Sequence, residues 1–252
     1  MDIHAASEEY DLEGFLAGKN SLHRIELEKL GDVSGKKLLH LQCHFGLDTI
    51  SWARLGAKAT GVDFSDTALE LAREIAKKTG VDAEFVCSNV YDLPENHAGE
   101  YDIVYTSYGV LCWLNDIDRW GEIIAHFLKP GGRFLIVESH PFMWVFDDDS
   151  EDLGIKYSYW HQTDPLSWED DGTYADAEAK ITNKKSYEWQ HTVSDVLNAL
   201  IKAGLTIDEV DEFPELVWAY TPASKRVDDE WFRIPGDPLP QCWSVLASKR
   251  QV

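Results

Sequence analysis

The sequence predicts an α/β fold, a mostly parallel sheet with crossover helices on both faces. Two observations predict it. Short β-rich runs alternate with helical patterns along the chain, the sequence form of strand–helix–strand units. The 252 residues, 44% of them hydrophobic, also suffice for one such domain with a sizeable core. No internal repeat or low-complexity linker divides the chain.

Seven runs read as strands: Lys37–Gln42, Lys58–Val62, Ala83–Cys87, Tyr101–Thr106, Arg133–Glu138, Leu205–Glu212 and Gln241–Ser248. A helix follows the first, ending near Gly56. After the second, Ser65 caps a helix whose Ala68, Leu71, Ala72, Ile75 and Ala76 form one apolar face, stopped by Gly80. Lys129-Pro130-Gly131-Gly132 is a turn dividing a helix from the fifth strand. Thr192 and Asp195 resemble a capping box ahead of the buried stripe Val193, Val196, Leu197, Leu200 and Ile201, and Gly204 stops that helix. Two segments break the alternation. Residues 1–34, with a helix around Leu22–Leu30, precede the first strand. Residues 141–191 interrupt the chain before the last helix, carrying ten aromatics and twelve acids against four lysines. A long loop this rich in aromatics reads as a functional segment or a small subdomain rather than as plain disorder.

Composition excludes several classes. Forty-five acids against 23 Lys+Arg give a net charge of −22, which repels a nucleic-acid backbone or an anionic membrane surface. No apolar run has the ~18–20 residues that span a bilayer. Met1–Tyr10 carries acids where a secretory leader carries a basic region, so a cytoplasmic location is expected. Cys43, Cys87, Cys112 and Cys242 are scattered without a CxxC pair and read as reduced, buried small hydrophobes.

Chemistry concentrates where the first strand breaks into Gln42-Cys43-His44-Phe45-Gly46-Leu47-Asp48-Thr49 and a helix begins. Strand, turn and helix present backbone N–H groups to a polar ligand. Asp63 stands at the tip of the second strand, where an acid accepts both hydroxyls of a ribose. The turn lacks Gly-x-Gly-x-x-Gly, which argues against a nicotinamide cofactor. His40, Cys43 and His44 straddle a strand end rather than a helical face, so hydrogen-bonded histidines outweigh a metal site, and no metal is expected.

Over Lys36–Glu138, and again through the final helix and two strands, the sequence resembles the class I S-adenosylmethionine-dependent methyltransferases. Where that family reads Asp-x-Gly-x-Gly-x-Gly, this chain has His40, Gln42, His44 and Gly46, so only the last glycine survives. Asp63 matches the family's acid, with Phe64 placed against the adenine. Ser88-Asn89-Val90-Tyr91-Asp92-Leu93-Pro94 is similar to a Gly-Asp-Ala-x-x-Leu-Pro segment, Asn89 replacing an acid at the adenine edge. Tyr101–Ser107 resembles the fourth-strand motif, and Leu128–Arg133 the turn before strand five.

The resemblance implies a Rossmann-like seven-stranded sheet of order 3-2-1-4-5-7-6 with the last strand antiparallel. It implies an N-terminal lid or helical extension at 1–34, a methyltransferase domain at 35–252, and 141–191 as a substrate-cap insertion. S-adenosylmethionine is the implied cofactor, with S-adenosylhomocysteine as product. Its contacts would be Gln42, Cys43, His44, Gly46, Asp63, Phe64, Asn89, Val90 and Ser107. Methyl transfer from a sulfonium needs in-line alignment and exclusion of water, with a general base depending on the acceptor. His140, His191 and Tyr108 are the candidates on the acceptor side.

The expected activity is methyl transfer to a small-molecule oxygen or nitrogen, by a monomer or homodimer. The aromatics and acids of the insertion, among them Trp144, Tyr157, Trp160, Trp168 and Tyr174, suit a flat or amine-bearing substrate. The alternatives are a cofactor-binding protein without turnover, which the altered first turn suggests, and methylation of a protein partner.

Overall fold

In the computed structural model, residues 10–147, 149–150, 152–169 and 184–251 are described. Tyr174 and part of the Asp147–Asp152 acidic run lie outside them.

Two helices, α1 (Leu12–Leu16) and α2 (Arg24–Leu30), precede β1 (Lys37–Leu41), α3 (Leu47–Arg54), β2 (Lys58–Asp63), α4 (Asp66–Thr79) and β3 (Glu84–Cys87). Then come α5 (Leu93–Asn96), β4 (Tyr101–Thr106), α6 (Ile117–Phe127) and β5 (Leu128–Ser139). A hairpin of β6 (Leu166–Glu169) and β7 (Lys185–Glu188) lies in the insertion, ahead of α7 (Val193–Lys202) and β8 (Leu205–Phe213). Three short strands, β9 (Glu215–Leu216), β10 (Lys225–Arg226) and β11 (Phe232–Arg233), come before β12 (Cys242–Lys249).

The main sheet has the order β3-β2-β1-β4-β5-β12-β8. The first five are parallel, and β12 runs antiparallel to both neighbours. The Rossmann-like expectation is met strand for strand.

Side chains alternate across this sheet as the pleat requires. Leu39, Val104 and Phe134 pack with Trp120, Ile124 and Leu200 of α6 and α7. Leu38, Ile103 and Leu135 pack with Ile25 of α2 and Trp52 of α3. The cap signals hold. Ser65 Oγ accepts from Ala68 N–H at 3.3 Å, Gly80 closes α4 at φ 67°, and Thr192 and Asp195 cap each other's backbone reciprocally.

Three features depart from expectation. Lys129–Gly132 does not separate a helix from a strand. It is an irregularity within a longer β5, because Leu128 already pairs with Tyr101 and the register shifts only beyond it. Residues 214–240, which the strand pattern left blank, build the small sheet β10-β11-β9. Its Leu216 and Trp231 are buried against α2, and its Glu215 takes ion pairs from Arg24 of α2 and Arg233. Cys87 is exposed at the end of the edge strand β3, whereas the other three cysteines are buried. No described helix is long and apolar enough to cross a membrane.

Parallel strands all end at one edge, so β1, β2, β3, β4 and β5 deliver residues 42–46, 63–65, 88–90, 107–112 and 138–141 to the same rim. On the α2 side of that rim Glu26 is 0% exposed, and neither carboxylate oxygen has a hydrogen-bond partner. Burial, aided by the neighbouring Asp48 charge, raises its pKa from 4.5 to about 8.

The folded protein therefore holds a proton on Glu26 that the unfolded chain releases. Stability from this group is fully present below pH 4.5 and is lost as pH rises to about 8. The loss should run at about 1 kcal/mol per pH unit. Denaturant titrations across that window should show Glu26→Gln flattening the dependence and stabilising the protein at pH 8. An unchanged slope in the variant would show that Glu26 does not titrate there.

Candidate active site

The turn after β1 takes left-handed backbone at every second residue. Gln42, His44 and Gly46 have φ of 55°, 52° and 78°, so the two side-chain-bearing residues adopt the conformation glycine favours. Such positions cost on the order of 1 kcal/mol each and persist only when their surroundings over-determine them. Here the surroundings do. Cys43 N–H donates to Val62 O at 2.8 Å, and His44 N–H to Asp63 Oδ2 at 2.8 Å. Asp63 Oδ1 accepts from Ser65 N–H at 2.9 Å, so one carboxylate ties the turn to the β2 tip.

Gly46 has no such latitude. A Cβ there would lie 2.6 Å from the Phe85 ring at a φ that already favours glycine. Gly61 plays the complementary part in β2, since a Cβ would meet Cys43 Sγ and Thr49 Oγ1 at 2.8 Å.

The two replacing side chains are turned out of the backbone's way. Gln42 Nε2 donates to Val110 O at 3.1 Å, and Oε1 is buried without a partner. The His44 ring lies against Phe45 and Tyr10 at centroid distances of 4.5 and 5.6 Å, so Tyr10, ahead of α1, covers the turn. Phe64 is 77% exposed just past Asp63, and Asn89 is exposed at the β3 end with its side chain accepting from Tyr91 N–H. Burial raises the Asp63 pKa against the pull of its backbone donors. Cys43 and Val90 are buried in the protein's own packing. Ser107 Oγ donates to Asp48 Oδ2 at 3.3 Å. His40 is buried on Thr49 Oγ1 at 2.9 Å, and burial lowers its pKa to about 4, so it is neutral. Among the described residues no cluster of His, Cys, Asp and Glu could hold a metal.

These residues fit an adenosyl sulfonium. An acid with lone pairs to spare at the β2 tip suits the ribose, and the exposed Phe64 ring suits a flat base.

Across the loop after β4 lies a narrow cleft, open to solvent. Leu111, Cys112, Pro141, Trp144 and Trp189 form its apolar wall, and Glu138, Ser139, Gln190 and His191 its polar one. The loop is a partition: Gln42 holds its Val110 carbonyl from the turn side, while Leu111 and Cys112 line the cleft. Glu138 fixes it in place. Its carboxylate, 2% exposed, accepts from the N–H groups of Gly109, Val110 and Leu111 at 2.7, 2.9 and 3.3 Å and from Ser139 N–H at 2.7 Å. Glu138 was legible only as the last residue of a strand; its carboxylate's role depends on contacts 27 to 29 residues away.

The three candidate acceptor-side residues separate. His191 lines the cleft and donates from Nε2 to Leu114 O at 2.6 Å, which leaves the lone pair on Nδ1. Burial lowers its pKa, keeping it neutral. His140 does not line the cleft, and both its nitrogens are engaged: Nδ1 accepts from Phe142 N–H at 3.1 Å and Nε2 meets Glu212 at 2.9 Å. It braces the chain leaving β5. Tyr108 turns its buried hydroxyl to the α2 side, packing edge-on against His23 and Trp218. The geometry thus keeps His191 at the cleft and removes the other two.

Residues 38–132 match the family model described as a methyltransferase domain. A ubiquinone biosynthesis O-methyltransferase of Escherichia coli O7:K1 (strain IAI39 / ExPEC) is 34% identical over 131 residues, 50% of this chain and 54% of that protein. The chain thus spans about half the length of the curated relatives it matches. An S-adenosylmethionine-dependent methyltransferase from Mesorhizobium loti superposes with a TM-score of 0.62 at 21% identity, covering 93% of this chain and 100% of that one. The magnesium protoporphyrin IX methyltransferase of Synechocystis PCC 6803, solved with bound SAH, gives 0.53 at 12% identity over 98% and 96% of the two chains. The fold is shared with these solved methyltransferases, and the similarity to the methyltransferase-domain family extends over residues 38–132.

Replacing Glu138 with Gln removes the charge that four backbone N–H groups share. Hydrogen exchange at Gly109, Val110 and Leu111 should then accelerate by about tenfold or more, the loss expected for hydrogen bonds to a charged acceptor. Unchanged protection at those amides would show that the carboxylate does not hold the loop.

Proposed function

We propose that the chain is a cytoplasmic enzyme that transfers the methyl group of S-adenosylmethionine to an oxygen or nitrogen of a small molecule. One observation carries this reading: the turn fitted to the cofactor and an indole-walled cleft lie on opposite sides of a single loop.

Asp63, Phe64, Asn89, Ser107 and the Gln42–Gly46 turn would hold the cofactor. When bound it supplies a methyl already activated by positive sulfur. The protein's part is then to orient the acceptor, exclude water and receive a proton. Trp144 and Trp189 orient a flat acceptor in the cleft. His191 Nδ1 receives the proton of an attacking O–H or N–H, its ring held by the Leu114 carbonyl. Residues 141–191 act as the substrate cap, and the segment before β1 contributes Tyr10 as cover for the turn.

Calorimetry with S-adenosylhomocysteine tests the cofactor half. Wild type should bind, and Asp63→Ala should weaken binding at least about tenfold, because two hydrogen bonds to a charged acceptor are lost. Failure of wild type to bind, or an unweakened variant, sinks the reading. Binding without transfer to any of a panel of phenols and amines would favour a cofactor-binding protein without turnover.

The pH profile tests the acceptor half. His191 is active when neutral, so the acid limb should lie below the ordinary histidine range and activity should persist to mildly acidic pH. In His191→Gln that limb should disappear with a fall of about 10²-fold in kcat and a smaller change in KM. Loss in KM alone would assign His191 to binding.

A further inference from the structure

Trp144, a part-buried indole lining the cleft, is tied at two points. Its Nε1–H donates to Ser139 Oγ at 2.9 Å, and its carbonyl accepts from Gln190 Nε2 at 2.7 Å. The ring also lies edge-on against Tyr220 at a centroid distance of 5.9 Å. Its backbone belongs to a single tight helical turn, Met143–Val145, just beyond the end of β5. One turn gives a side chain little support of its own, so these contacts set where the indole plane stands.

Ser139 joins that indole to the acid that holds the partition loop. Its hydroxyl donates to Glu138 Oε1 at 3.1 Å. The direction of both bonds follows from the partners. An indole N–H can only donate and a carboxylate can only accept, so the hydroxyl proton goes to Glu138 and a lone pair faces Trp144. Bonds in such a chain polarise one another, and giving its proton to a charge makes the hydroxyl a better acceptor. Ser139 is 1% exposed, so bulk water does not reach the hydroxyl to replace it.

We infer that Ser139 is a positioning residue for methyl transfer: its hydroxyl fixes the Trp144 indole as the surface against which the acceptor is aligned. The inference rests on the proposed reading of the cleft as the acceptor site. Ser139 reaches the cleft wall, but its one hydroxyl proton is committed to Glu138, so it acts through Trp144 rather than by donating to the acceptor. Cleft wall and partition loop then depend on a single carboxylate, since Glu138 Oε1 serves Ser139 and both oxygens serve the loop.

Ser139→Ala isolates the hydroxyl, because the backbone N–H of residue 139 stays on Glu138 and the loop keeps its clamp. Hydrogen exchange at Gly109, Val110 and Leu111 should therefore stay as in wild type. In NMR spectra the Trp144 indole N–H, assigned by its loss in Trp144→Phe, should shift and exchange with water about tenfold faster or more. With the phenol or amine that wild type methylates fastest, kcat should fall about tenfold, while KM and the affinity for S-adenosylhomocysteine change less than about threefold. The double variant Ser139→Ala, Trp144→Phe should turn over like Trp144→Phe alone, because the hydroxyl then has no indole to hold.

An unmoved indole resonance, an unchanged kcat, faster exchange in the partition loop, or losses that multiply in the double variant would each overturn the inference. Multiplied losses would mean that Ser139 meets the acceptor itself. A wild type that methylates no phenol or amine fails the proposed function, and the positioning role falls with it. An active wild type indifferent to Ser139→Ala overturns the positioning role alone.

Discussion

Glu138 ends the fifth strand with its carboxylate withdrawn from water and both oxygens on backbone N–H groups of the loop after β4. Burying an ion costs several kcal/mol unless donors replace the lost hydration, and four backbone N–H groups do so here. The arrangement has one geometric consequence. The loop cannot relax toward the cleft or toward the turn after β1 without stranding that charge. Gln42 takes the Val110 carbonyl from the other side, so the partition is held from both faces. Cleft and turn are thereby kept one loop apart, the separation that the proposed methyl transfer asks of its two ligands.

The turn itself shows how a rigid frame can replace glycine. Two αL residues with side chains would open an isolated loop. Asp63 prevents this by accepting from His44 N–H, while Val62 takes Cys43 N–H. Strain and anchoring are coupled, so removing Asp63 acts on the shape of the turn as well as on the proposed ribose contact. The Gln42 and His44 side chains add contacts that glycine could not make, one to the partition loop and one beneath Tyr10. Only at Gly46 does the Phe85 ring leave no room for the same replacement.

The sheet was legible because its signals are local. Period-two runs, the Ser65 and Thr192 caps and the Gly80 stop fall where helices and strands begin and end. Asp63 was legible for the same reason, standing at a strand tip. What stayed hidden depends on contacts far apart in sequence. His140 and His191 look alike along the chain; only Glu212, 72 residues on, and Leu114, 77 residues back, decide that one is a brace and the other lines the cleft with one nitrogen bonded to a carbonyl. Residues 214–240 carry no periodic pattern, because strands two residues long are held by Glu215, Arg24 and Arg233 rather than by alternation.

Three buried or part-buried acids at the same rim finish differently, and the number of donors decides how. Glu138 has four backbone N–H groups, Asp63 has two, and Glu26 has neither a hydrogen bond nor an ion pair on its carboxylate oxygens. Burial pushes all three upward, and Glu26, whose oxygens have no donor, is raised to about 8. Loop, turn and strand-end amides supply the N–H groups that Glu138 and Asp63 accept, and no donor meets the Glu26 oxygens. Backbone donors thus hold the carboxylates of the cleft and the turn, whereas Glu26 lacks them.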